Sequence, residues 1–187
     1  MLLRPCEVFG SGSPRHRARA VPMSQLPVSP RPGVRLAVDV GSVRVGVARS
    51  DPGGVLATPL TVLPSGPRAR AELARLAAAE GAIEVIVGLP TSLSGREGAA
   101  AAGAREFAAD LAARLAPILV RLVDERFTTT EAHEALRRGG KDARARRQVV
   151  DAAAAAVLLQ AALDAERFTG RPAGQLVPNP ALDGAGP

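Results

Sequence analysis

The sequence predicts an α/β fold, a mixed sheet with helices packed against it, and three observations carry that prediction. Between about Gly33 and Phe168, apolar runs of strand length alternate with longer stretches of helical period. The first three strand-like runs follow one another without a helix, whereas later ones are separated by helices, so an antiparallel meander leads into crossovers. Aromatic residues are nearly absent, with 4 Phe and no Trp or Tyr, so the core is built from Ala, Val, Leu and Ile. At 187 residues the chain fits one domain with a sizeable core.

Val34 to Val40 and Val43 to Ala48 read as adjacent strands around a turn at Gly41. Val55 to Leu63 supplies a third, and Pro59 within it favours an edge position or a bulge, because proline cannot donate to a ladder. Arg68 to Ala79 has helical period, with Leu73 and Leu76 on one face. Ile83 to Val87 is a short apolar strand running into Gly88 to Pro90. A second helix, from Gly95 or Arg96 to Leu115, carries Phe107, Leu111 and Leu115 one turn apart. Ile118 to Val123 is the next strand. "TTTEAHEALRRGG" then starts a helix with a Thr and Glu capping pattern, Thr128 or Thr129 with Glu131, and stops it at Gly139 and Gly140. The final helix runs from roughly Arg144 to Glu166. Its apolar stretch Ala152 to Leu163 is interrupted only by Gln160, as close packing on a sheet requires.

Residues 1–32 are rich in Pro, Gly, Ser and Arg and are expected to form a flexible tail, because such composition buries too little apolar surface to offset ordering entropy. The tail can be an arm drawn to nucleic acid, a linker, or sequence upstream of a start at Met23. Residues 169–187 repeat the composition and are expected to form a second tail, leaving 33–168 as the folded domain. Formal net charge is +6, but the first 32 residues, with five Arg against one Glu, supply +4 of it. The overall charge therefore says little about a binding face on the domain.

The single cysteine, Cys6, excludes an internal disulfide and a cysteine metal cluster, and two histidines cannot make a multi-histidine site. Any bound metal must be held by carboxylates, which favours magnesium or manganese. No apolar run is long enough for a membrane span and no cleavable signal is evident, so no membrane association is expected and a soluble cytoplasmic protein is the default.

Three acidic positions stand out. Asp39 lies near the C-terminal end of the first strand; alternation places Leu36, Val38 and Val40 on one side and Ala37 and Asp39 on the other. A strand end can open into a crevice, where a carboxylate costs less than in a buried sheet. Asp39 can equally be a turn-forming residue, and "DVG" also matches the first phosphate loop of sugar kinases and actin-like ATPases. Asp124 and Glu125 end another core strand, where two adjacent acids repel unless one faces solvent or cations intervene. Asp151 sits where the apolar body of the last helix begins. Together such acids can make a carboxylate cage suited to two-metal phosphodiester cleavage.

Between the last two acids, "RRGGKDARARR" holds Arg137, Arg138, Lys141, Arg144, Arg146 and Arg147 against Asp142, a local +5. A phosphate backbone would be drawn to such a segment. A solvated helix end would look similar, but the glycine hinge favours a substrate-facing loop. His133 on the preceding helix has no evident orienting partner and is read as structural or surface-exposed.

"RLAVDVGSVRVGVARSD", "VIVGLPTSLSG", "VRLVDERFTT" and "RRQVVDAAAAAVLLQ", in this order, resemble the YqgF family of ribonuclease H-like proteins, also described as RuvC-like Holliday junction resolvases and as pre-16S rRNA nucleases. The resemblance runs from about Gly33 to Phe168. It implies a ribonuclease H-like fold and a bacterial cytoplasmic nuclease that matures the 5′ end of 16S rRNA with Mg2+ or Mn2+. It places metal ligands on Asp39, Glu125 and Asp151, with Asp124 as alternative or accessory ligand. Arg126 matches an arginine of the family motif that positions phosphate or tethers the acids, and Gly41 and Gly88 to Pro90 match site-shaping loops. Arg44 either approaches substrate or is an exposed hairpin residue. Phe127 stands where the motif often has Leu.

The implied partner is precursor 16S rRNA or a ribosomal pre-particle, with the protein acting as monomer or homodimer. Resolution of branched DNA would use closely related chemistry on a symmetric dimer, and a catalytically weak RNA-binding assembly factor is the other class. An actin-like ATPase is disfavoured because the chain is too short for two nucleotide-clamping subdomains.

Overall fold

The computed structural model describes residues 31–91, 98–125 and 143–179, with only the backbone described for 143–148. The order is β1 (Val34–Val40), β2 (Arg44–Ser50), β3 (Ala57–Pro64), α1 (Pro67–Ala79), β4 (Ala82–Leu89), α2 (Ala99–Leu115), β5 (Leu119–Asp124), α3 (Ala143–Thr169) and β6 (Gln175–Leu176). The six strands form one sheet in the order β3-β2-β1-β4-β5-β6. β1, β4 and β5 are parallel, while β2 runs antiparallel to both β1 and β3. The meander followed by crossovers is therefore present, and the chain folds as a mixed α/β sheet.

Apolar alternation sorts the strands between two helix layers. Leu36 and Val38 of β1, Val45 and Val47 of β2 and Val85 and Val87 of β4 pack with Leu73 of α1 and with Phe107, Leu111 and Leu115 of α2. On the opposite face Ala37, Ala48, Ile86 and Val123 pack under Ala155, Leu158, Leu159, Ala162 and Leu163 of α3. Small side chains along α3 let its backbone lie close to the sheet. Gln160, the polar exception in that run, accepts a hydrogen bond from the Ala57 N–H and donates to the Val55 carbonyl, tying α3 to the start of edge strand β3. Pro59 falls where the β2–β3 register shifts, on that edge strand, as its missing donor requires.

Two stretches expected to lie outside the domain contribute to it. Arg31 donates to Glu166 and Glu84, and Arg35 donates to Glu166, joining the residues before β1 to the last turns of α3. Arg35, Glu84 and Glu166 are 0%, 1% and 5% exposed, so this cluster is a buried ionic clamp at the N-terminal ends of the parallel strands. After α3 the chain returns along β5 as β6. Val177 is buried in the core, and the Asn179 amide donates to the Ala112 carbonyl at 2.6 Å. Pro- and Gly-rich composition concealed this strand, because two residues of pairing have no periodicity to detect.

Candidate active site

β1 delivers Asp39 to the α3 face, continuing the side taken by Ala37. Its cross-strand partner in β2 is Gly46. A Cβ on Gly46 would lie 2.6 Å from the carbonyl carbon of Asp151 and closer still to its oxygen, so α3 reaches the sheet at the residue opposite Asp39. Glycine in the middle of an apolar strand is thus the device that brings Asp151 beside Asp39. Sequence reading did not single out Gly46, although a glycine interrupting a strand is the signal for close backbone approach.

β5 supplies the third acid and settles which of its two terminal acids shares this face. Leu122 packs toward α1 and α2 and Val123 toward α3, so successive side chains alternate into Asp124 and Glu125. Asp124, paired in register with Leu89, accepts a 2.6 Å hydrogen bond from the Thr91 hydroxyl. Glu125 turns the other way: a Cβ on Gly88 would lie 2.7 Å from Glu125 Oε1 and 3.1 Å from Leu158 Cδ2 of α3. Gly88 follows Val87, whose partner in β1 is Val38, just as Asp39 follows Val38. The Glu125 carboxylate therefore lies one strand over from Asp39, on the same face.

Asp39, Glu125 and Asp151 lie on the same face of the sheet, at the C-terminal ends of β1 and β5 and on α3, whereas Asp124 turns to the other face. All three are half-buried. Arg44, the first residue of β2, donates from Nε to Asp151 Oδ2, with the two side chains 29% and 28% exposed. Arg126, Arg137, Arg138 and Lys141, and with them Thr128, Thr129, Glu131 and His133, lie outside the described residues. Arg144, Arg146 and Arg147 fall on the first turns of α3, where only the backbone is described.

The donor chemistry of the face suits a hard divalent cation: it offers carboxylates, without a thiol or imidazole among the three positions. The set is open as it stands. Among the described residues no three acids are gathered closely enough to hold a metal ion, and Asp151 is turned to a guanidinium.

A sheet ordered β3-β2-β1-β4-β5 with β2 reversed, helices on both faces, and acids from β1, the end of β5 and the last helix on one side define a ribonuclease H-like protein. The chain belongs to the RuvX family, described as Holliday junction resolvase, whose model matches residues 33–165. Its relatives include a protein of Nocardioides sp. named "Putative pre-16S rRNA nuclease", 56% identical over 152 residues that cover 79% of this chain and 97% of that protein. A Thermobifida fusca protein of the same name is 56% identical over 154 residues, with the same two coverages. Among solved structures, Thermus thermophilus RuvC in complex with Holliday junction substrate aligns with 71% of this chain and 94% of that chain, at 17% identity and a TM-score of 0.40.

Proposed function

We propose that this protein is a metal-dependent nuclease of the bacterial cytoplasm that processes the 5′ end of precursor 16S rRNA, free or in a ribosomal pre-particle, by phosphodiester hydrolysis. The observation that carries the reading is the placement of Asp39, Glu125 and Asp151 on the one face against α3, with Gly46 and Gly88 leaving room there for Asp151 and Glu125. Carboxylates held on one face disfavour an approaching phosphate unless hard cations intervene, and oxygen donors of this kind suit such cations. Magnesium or manganese held by these acids would supply an activated water and charge neutralisation at the attacking and leaving oxygens. The protein's own part is to fix the acids on strand ends and a packed helix, and to offer cationic side chains for the backbone of the substrate. The names of the relatives favour rRNA as substrate. The family description favours junction DNA as a second reading.

The test compares wild type with Asp39→Asn, Glu125→Gln and Asp151→Asn on precursor 16S RNA and on four-way DNA, with magnesium or manganese. The expected result is metal-dependent RNA cleavage lost in all three variants. Metal-independent cleavage, or full activity in all three, would overturn the carboxylate mechanism. Preferential cleavage of the junction would transfer the same mechanism to DNA and would predict a symmetric dimer.

A further inference from the structure

Arg44 is placed with more constraint than an exposed hairpin residue needs. Its carbonyl accepts the Gly41 N–H at 2.9 Å, and a Cβ on Gly41 would come within 2.7 Å of that oxygen, so a tight turn fixes the Arg44 backbone. Arg44 precedes Val45, which packs toward α1 and α2, so its own side chain rises on the α3 face, two residues before Gly46. There it takes the Asp151 carboxylate. The pair is accessible enough for solvent to screen it, so its hold on Asp151 is worth no more than about fivefold in an equilibrium.

We propose that Arg44 is a positioning residue that guards Asp151: it occupies the carboxylate until a divalent cation takes its place, and its guanidinium is then available to a phosphate of the substrate. This rests on the nuclease reading above for the identity of the metal site. The guanidinium and the cation compete for one carboxylate, while a phosphate competes with that carboxylate for the guanidinium. Metal and nucleic acid therefore each weaken the same contact, and each promotes binding of the other by an equal factor. Before either ligand binds, Arg44 neutralises Asp151 and holds it in place, and the pair opens as the ligands bind.

The experiment measures Mn2+ binding to the full chain by titration calorimetry and by electron paramagnetic resonance of free Mn2+, without nucleic acid. Arg44→Met should raise Mn2+ affinity by about two- to fivefold, and Arg44→Lys by less, with melting curves confirming that each variant is folded. Unchanged or weaker binding in both folded variants would overturn the guard. The Asp151→Asn background separates competition for Asp151 from a general field effect. There Arg44→Met should have no effect, and the same gain with or without Asp151 also overturns the proposal. If Asp39→Asn and Asp151→Asn alone leave Mn2+ affinity intact, it is the carboxylate site that fails, a result distinct from failure of the guard.

Discussion

Glu125 lays its carboxylate over Gly88, and the side chain that Gly88 lacks is the space the acid occupies. Gly88→Ala should therefore displace the flexible end of Glu125 and press lightly on Leu158, costing less than about 1 kcal/mol in stability. Cleavage should fall by about tenfold or more, because a displacement of about 1 Å at a reacting centre can cost a hundredfold. Chemical denaturation and single-turnover rates on precursor RNA check the two halves separately. Gly46→Ala should behave differently, since the new Cβ would meet the Asp151 backbone, which cannot swing aside. A stability loss of about 1–3 kcal/mol is expected there.

The two adjacent acids of β5 should separate cleanly. Glu125→Gln is expected to lower the cleavage rate by about a hundredfold or more, as loss of one electrostatic element of an active site does. Asp124→Asn, facing Thr91 on the other side of the sheet, should stay within about threefold of wild type, because the amide oxygen still accepts the threonine hydroxyl. Equal losses in both would show that the face on which each acid lies does not decide its role.

The ionic clamp of Arg31, Arg35, Glu84 and Glu166 should be costly to break. Glu166→Gln removes the charge facing Arg35, which is wholly buried, and is expected to cost about 3 kcal/mol in urea denaturation at neutral pH. Burial alone would raise the Glu166 pKa, but hydrogen bonds from the Arg31 side chain and backbone and the charges of Arg35 and Arg31 outweigh it and hold the carboxyl below its ordinary value. A depressed folded pKa stabilises the fold above the unfolded value of about 4.3, and that stability is lost as pH falls through the folded value. Wild type should accordingly lose stability more steeply than Glu166→Gln below about pH 4.3.

Residues 175–179 should matter to the fold despite their composition. Asn179→Ala deletes the buried donor to the Ala112 carbonyl and is expected to cost about 1–3 kcal/mol, read as a lower denaturation midpoint with an unchanged slope.

The sheet was legible because its signals are local. Alternation in β1 divides Leu36 and Val38 from Ala37 as the two observed cores do, and the spacing of Phe107, Leu111 and Leu115 marks the buried face of α2. Strand ends were less so: Leu89 and Asp124 extend β4 and β5 beyond their apolar runs, because pairing with a neighbour continues after hydrophobicity stops. The choice between Asp124 and Glu125 depends on which face each occupies, and that follows from Gly88 and Leu158, distant in sequence. The partnership of Arg44 with Asp151 and the clamp of Arg31 on Glu166 are equally non-local, separated by 107 and 135 positions. No period or motif records such contacts.

Asp151 and Glu166 are carried by the same helix, fifteen positions apart, which amounts to about 22 Å of helical rise. Anchored at Glu166 by two arginines from the start of the sheet, the helix works as a ruler whose zero is set at one end and read at the other. Sliding it by a single residue would shift the clamp and the acid together by about 1.5 Å. Substitutions at the clamp can therefore detune the site from the far side of the molecule, without touching any residue near it.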